Sequence, residues 1–166
     1  YDKHKKQSPY QPLGTTVFDA IQGAVDNKEA VKYDPWANNL STGGIIIAAV
    51  GEYPYAEGYG DSPSIGLSLF DKEVLEKCYK SGNRLVVIIL SGRPLIIDKH
   101  INKWDGLIAA WLPGMAGEGI ADVLFGDYNP TGKLSYTWPM DINQVPINVG
   151  ALDYDPLFPF GYGLSY

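Results

Sequence analysis

Three short apolar runs, each of strand length, divide the chain: Ile45–Val50, Arg84–Leu90 and Gly106–Trp111. The segments between them carry apolar residues at helical spacing or charges placed as in a helix. Apolar runs of this length are typical of buried strands, and their alternation with helices predicts βαβ units. We therefore predict an α/β fold, a three-layer sandwich with a mostly parallel sheet, helices on both faces, and Ile45–Val50 as the central strand.

Local signals add further elements and bounds. We predict helices from a cap at Thr15 or Thr16 to about Val25, from Asp71 to a stop at Gly82, and over Glu118–Phe125. We also predict a short strand over Ala30–Tyr33 and an edge strand over Leu134–Trp138, closed by Pro139. Residues 1–166 are predicted to form a single α/β-sandwich domain with an irregular lead-in over residues 1–13.

Composition excludes several classes of function. The net charge of −6 argues against a nucleic-acid partner, because phosphate binding needs a basic surface. No apolar run approaches the roughly 18 residues that span a bilayer. A single cysteine and two histidines cannot build a disulfide or a Cys/His metal cluster. The glycine-rich segments lack the spacing of nucleotide-binding motifs, so we expect no cofactor and no metal.

The loop that follows Ile45–Val50 carries the candidate chemistry. It contains three carboxylates, Glu52, Glu57 and Asp61, together with several tyrosines. Open α/β sheets bind ligands at the carboxyl ends of their strands, and glycoside hydrolysis needs a pair of carboxyl groups. Surface loops also collect acids without any function, and on the residues alone that interpretation is favoured.

Several segments change this balance, because together they resemble one family in the same order along the chain. They are AVGEYPYAEGYGD (Ala49–Asp61), LSGRP (Leu90–Pro94), AAWLPGMAGEGIADVLFGDYNPTGKL (Ala109–Leu134), SYTWP (Ser135–Pro139) and YDPLFPFGYGLSY (Tyr154–Tyr166). The chain resembles the second, α/β-sandwich domain of glycoside hydrolase family 3, the β-glucosidases and exo-β-glucanases.

The resemblance implies hydrolysis of β-glucosidic bonds with retention. The nucleophile is an aspartate on a separate barrel domain, and the acid/base is a glutamate that matches Glu57 here. Glu52 matches an earlier glutamate, which we interpret as supporting the site. The resemblance also implies a β-glucan or β-glucoside substrate and favours a secreted or periplasmic location.

Four residues join Glu52 as candidates near the sugar. Tyr53 and Tyr55 flank the acids and could line the sugar site, and Asp61 closes the loop. Trp36 is retained as a sugar-binding candidate, although it is no clear substitute for the tryptophan that the family usually carries near the start of this domain. Among the remaining aromatic residues, Trp111 is expected in the core, and Trp138 either in the core or facing the cleft.

Two hypotheses follow for the whole chain. The barrel with its nucleophile is absent from these residues, so we expect the chain alone to be inactive and to be the acid/base-bearing, glucan-binding part of a two-domain enzyme. The alternative is a free-standing, non-catalytic β-glucan-binding module.

Arg93 follows a strand end, where an ion pair within the domain is the simpler role.

Overall fold

The computed structural model describes residues 14–166, except for the side chain of Glu57. These residues form two compact units, one of residues 14–32 and Pro113–Tyr128, the other of Tyr33–Leu112 and Asn129–Tyr166. The predicted lead-in over residues 1–13 lies outside the described residues, and the single-domain organisation stays a prediction.

The larger unit contains a parallel three-stranded sheet, as predicted. Its strands are β1 (Ile45–Gly51), β2 (Arg84–Leu90) and β3 (Gly106–Trp111), in the order β1-β2-β3. The prediction that β1 is central is wrong among the described residues, because β2 lies between the other two. Burial agrees with this order: Leu85 and Val87 of β2 are fully buried, whereas Ile45 of β1 is 68% exposed. Apolar content alone does not distinguish a central strand from an edge strand.

Helix α2 (Leu69–Lys80) connects β1 to β2 and packs on both strands. Its N-cap is Ser68, whose side chain accepts a hydrogen bond from the Asp71 amide, so the helix begins earlier than predicted. The helix stops as expected before Gly82, which adopts a φ of 72°. A short helix, α3 (Asp98–Ile101), follows β2 and was not predicted.

The core of this unit is completed by the C-terminal segment. Trp138 is 1% exposed and its indole Nε1 donates a 2.7 Å hydrogen bond to the carbonyl of Leu95, so it is a core residue. The predicted strand over Leu134–Trp138 is wrong. The backbone is tied at Leu134 to Gly161 and Tyr162 and at Trp138 to Phe158, without a continuous ladder between these points.

The smaller unit pairs α1 (Val17–Gly23) with α4 (Gly117–Phe125). Thr16 caps α1, as predicted, by accepting from the Asp19 amide, although the helix ends before Val25. A Cβ at Gly117 would lie 2.6 Å from backbone atoms of Thr15 and Thr16, so the close approach there requires glycine.

The strand predicted over Ala30–Tyr33 is wrong. A 3₁₀ turn over Lys28–Ala30 occupies its start, and the Asn27 side chain caps this turn by accepting from the Glu29 amide. A local side-chain hydrogen bond therefore competes successfully with extended structure at this point.

Candidate functional site

The acid-bearing loop begins where β1 ends, at the carboxyl edge of the sheet. Gly51 lies so close to β2 that a Cβ there would approach the Leu90 carbonyl oxygen to 1.9 Å. The next amide, that of Glu52, donates a 3.0 Å hydrogen bond to the same carbonyl. The start of the loop is thus part of the sheet, and Glu52 is the first side chain to leave it.

Arg93 lies in the turn that follows β2 and pairs with Glu52, the ion pair expected from the sequence. Its Nε and Nη2 donate to Glu52 Oε1 over 3.0 and 2.7 Å, and both side chains are largely buried. Its Nη1 donates to the backbone carbonyl of Gly60 over 2.6 Å. The hydrogen bond to the Glu52 carboxylate raises the pKa of the Arg93 guanidinium above its ordinary value.

Tyr55 completes this cluster. Its hydroxyl donates to Glu52 Oε2 over 3.1 Å, and its ring centroid lies 4.8 Å from Arg93 Cζ, in a cation–π contact. Desolvation, together with the hydrogen bond and the charge of Glu52, raises the pKa of the Tyr55 hydroxyl. A Cβ at Gly60 would lie 2.3 Å from the Tyr55 ring, so the absence of a side chain there admits the ring.

Both oxygens of the Glu52 carboxylate are therefore engaged within the protein. The carboxylate accepts hydrogen bonds from Arg93 Nε, Arg93 Nη2 and the Tyr55 hydroxyl. A carboxylate bound in this way holds its surroundings in place and is poorly suited to protonating a substrate. Glu57 lies in the same loop and begins a 3₁₀ turn over Glu57–Gly60; its side chain is outside the described residues.

The other predicted sugar-binding residues lie in two different places. Tyr53 is 88% exposed and Asp61 is also exposed, both in the loop itself. Trp36 does not belong to the cluster around Arg93. Its ring packs edge-to-face on Phe70 in α2, with centroids 4.9 Å apart.

A groove that the sequence did not predict lies beside the cluster. It has a volume of about 690 Å³, and Arg93 lines it together with Pro94 and the C-terminal residues Tyr136, Pro146 and Phe160. Tyr136 and Phe160 are more than half exposed. Tyr136 and Phe160 belong to the segments SYTWP and FPFGYG, which carried the family resemblance but to which no chemistry was assigned. Apolar walls with exposed rings suit the apolar face of a sugar or of a partner surface.

Neither a metal-binding cluster nor a membrane-spanning helix occurs in the part of the chain that the structure describes. Among the side chains that are described, which leave out Glu57, no group of three or more His, Cys, Asp or Glu is placed to hold a metal ion. No helix within residues 14–166 has the length and apolar character needed to cross a membrane.

Comparison with known proteins places these features in a family context. The family model described as "Glycosyl hydrolase family 3 C-terminal domain" matches residues 4–166. The crystal structure of an exo-1,3/1,4-β-glucanase from a Pseudoalteromonas species superposes with a TM-score of 0.82 at 37% identity, over 93% of this chain and 21% of that chain.

Two curated relatives differ in the glycoside that their names give. A "Beta-xylosidase" of Formosa agariphila is 38% identical over 122 residues, covering 64% of this chain and 17% of that protein. A "Periplasmic beta-glucosidase" of Salmonella typhimurium is 31% identical over 171 residues, covering 84% of this chain and 22% of that protein. The chain thus spans about a fifth of the length of the proteins that it matches.

Proposed function

The chain belongs to glycosyl hydrolase family 3 as its C-terminal domain, and from this premise we propose that it supplies the acid/base carboxylate and a glucan-binding surface to a retaining β-glucosidase or exo-β-glucanase. One observation carries the assignment within the loop. Glu52 is bound by Arg93 and Tyr55 and is therefore poorly suited to move a proton. Of the two remaining carboxylates of the loop, Glu57, on the adjoining 3₁₀ turn, is the one that the family resemblance matches to the acid/base.

In the proposed reaction, the nucleophile is an aspartate on a barrel domain, as the family resemblance implies. The aspartate attacks the anomeric carbon while the Glu57 carboxyl group protonates the departing glycosidic oxygen. The Glu57 carboxylate then removes a proton from water as this water displaces the aspartate. Retention in this scheme requires the two carboxyl groups to lie about 5 Å apart, one on each side of the sugar.

The proposed substrate is a β-glucoside or β-glucan. The exo-glucanase and the periplasmic β-glucosidase support glucose at the cleaved position, and the β-xylosidase names the competing pentose. Initial rates on matched aryl β-glucosides and β-xylosides separate these specificities. A β-xyloside preference greater than tenfold in kcat/KM would contradict the glucoside assignment.

Leaving-group dependence tests the acid role of Glu57 directly. In the complete enzyme of which we propose this chain forms the second domain, Glu57→Ala should slow the hydrolysis of cello-oligosaccharides by about 10²- to 10⁴-fold, the usual contribution of general acid–base catalysis. Glycosylation by a dinitrophenyl glucoside should suffer far less, because that leaving group needs no proton. Asp61→Asn is the matched control from the same loop and should keep the parental ratio between the two substrates.

Exposed aromatic residues support a second candidate function, glucan binding by this chain alone. Tyr53 is 88% exposed and Tyr59 is 97% exposed, so both rings are available to a sugar face. Calorimetric titration of the chain with cello- and laminari-oligosaccharides should give dissociation constants from millimolar to tens of micromolar, about 4 to 7 kcal/mol. We expect no turnover of an aryl β-glucoside in the same preparation, because the proposed nucleophile belongs to the barrel.

A further inference from the structure

We propose that Arg93 is a positioning residue for catalysis, because its guanidinium bridges the two ends of the loop that carries Glu57. This inference rests on the proposed acid/base role of Glu57 and assigns a function to a residue that does not itself transfer a proton.

The bridge uses all three guanidinium nitrogens. Nε and Nη2 bind the Glu52 carboxylate where the loop leaves β1, and Nη1 binds the Gly60 carbonyl where the 3₁₀ turn ends. Glu57 lies between these two anchor points. A single side chain from the turn after β2 therefore fixes the separation between the beginning and the end of the loop segment that contains Glu57.

Arg93 is itself attached to the rigid part of the sheet. The preceding Ser91 is 2% exposed, its amide donates to the Trp111 carbonyl over 3.1 Å, and its hydroxyl donates to the Arg93 carbonyl over 2.7 Å. Pro94 follows and restricts the backbone. The guanidinium thus holds the loop in a fixed position relative to β2 and β3.

Tyr55 sets the spacing inside the bridge. Its ring lies against Arg93 and against Gly60, where no side chain intervenes, and its hydroxyl binds Glu52. The backbone is therefore held shortly before and shortly after Glu57, and residues 56–59 form the short span between. A misplacement of about 1 Å at a reacting group costs on the order of 10²-fold in rate, so such fixing has catalytic value.

Only arginine provides this geometry. Its planar guanidinium presents five N–H donors in a fixed fork, whereas a lysine ammonium is a compact point charge. Lysine at position 93 could retain the charge opposite Glu52 but could not also reach the Gly60 carbonyl in the same plane. Arg93→Lys therefore tests the bridge separately from the charge.

The experiment uses the complete enzyme with Arg93→Ala, Arg93→Lys and, as the matched control, Arg84→Ala, which removes the chain's other arginine from the opposite end of β2. We expect both Arg93 variants to lose about 10²-fold in kcat on cello-oligosaccharides and to lose less on a dinitrophenyl glucoside. Added ethylguanidinium should restore part of the Arg93→Ala activity. The control should match the parent on both substrates and show no response to ethylguanidinium.

Glu57→Ala, measured in parallel, separates the two proposals. If this variant keeps full activity on cello-oligosaccharides, the proposed function fails, whatever Arg93 does. If Glu57→Ala is impaired while the Arg93 variants keep parental rates, or lose activity equally on both substrates without rescue, the positioning role is overturned. Should Arg93→Ala fail to fold, Arg93→Lys and Glu52→Gln provide the same leaving-group comparison.

Discussion

Two segments of the larger unit lack regular strands and are held in opposite ways. The C-terminal segment is fixed by rings that pack around the buried Trp138: Trp138 contacts Phe158 with centroids 6.1 Å apart, and Phe158 stacks on Tyr162 at 4.7 Å. The loop after β1 leaves Tyr53 and Tyr59 almost fully exposed and is tied down by hydrogen bonds from one arginine.

The difference follows from what each segment has to present. Aromatic burial stabilises roughly in proportion to the apolar area removed from water, but it also removes the participating groups from any ligand. An ion pair with directional hydrogen bonds contributes less to stability and leaves the neighbouring loop residues at the surface. The first arrangement suits a scaffold, and the second suits a loop that must offer a carboxyl group to a substrate.

Truncation of Trp138 should produce the largest loss of stability and so separate the two segments most clearly. We expect Trp138→Ala to reduce the free energy of unfolding by about 3 to 5 kcal/mol, because it opens a cavity in the core and removes the hydrogen bond to Leu95. Tyr53→Ala, in the exposed loop, should change this free energy by less than about 0.5 kcal/mol. Urea denaturation followed by tryptophan fluorescence and circular dichroism gives both values. Similar losses in the two variants would show that the two segments are not held differently.

A methyl group at Gly51 should have a smaller but clear effect. The added Cβ would meet backbone atoms of Leu90, which cannot rotate away, so we expect Gly51→Ala to cost about 1 to 3 kcal/mol of unfolding free energy. Gly58, inside the 3₁₀ turn, has open space around the same position, and Gly58→Ala should be nearly neutral. Thermal unfolding of the two variants checks the pair. A neutral Gly51→Ala would mean that the junction between strand and loop is less rigid than described.

Removal of the Tyr55 hydroxyl should act on the loop more than on the fold. Tyr55→Phe keeps the ring against Arg93 and deletes one hydrogen bond to Glu52, for an expected cost of about 0.5 to 1.5 kcal/mol. Hydrogen exchange should be faster in residues 53–60 and unchanged around Trp138. Faster exchange in both places would indicate that the loop and the core unfold together.

Acidification should weaken the scaffold through His100 in α3. Desolvation, and then the charges of Lys72 and Lys103, lower the pKa of His100 in the folded chain from its ordinary value of 6.5. As the pH falls, the unfolded chain therefore takes up a proton at His100 at a higher pH than the folded chain does. The contribution of the neutral His100 to stability is complete above about pH 6.5 and is lost as the pH falls towards the folded-state pKa. His100→Gln should flatten the dependence of the unfolding midpoint on pH below 6.5. An unchanged slope would exclude His100 as its source.

The parts of the structure that the sequence predicted well depend on local signals. The apolar runs of the three strands, the Thr16 cap and the Gly82 stop, at a φ of 72°, all act within a few residues. The position of Arg93 after a strand was enough to predict its ion pair with an acid of the same domain.

Two of the errors, the strand order and the strand over Leu134–Trp138, have a different origin, because they depend on which distant segments meet. Strand order places β2 between β1 and β3, and no property of β1 alone indicates this. The pairing of Trp138 with Phe158 joins residues far apart in sequence, so alternation over Leu134–Trp138 was mistaken for a continuous strand. The bridge from Arg93 to the Gly60 carbonyl is likewise invisible in the sequence, since a backbone acceptor carries no residue signature.

The most direct test of the central claim, that Glu57 is the acid/base, is the anomeric configuration of the product formed in azide. In the complete enzyme, sodium azide should accelerate the turnover of an activated aryl β-glucoside by the Glu57→Ala variant. The released product should be β-glucosyl azide, identified by proton NMR. Azide then attacks the glycosyl-enzyme intermediate without base assistance, and the two successive inversions preserve the β configuration. Formation of α-glucosyl azide would contradict the account, because a single inversion would identify Glu57 as the nucleophile.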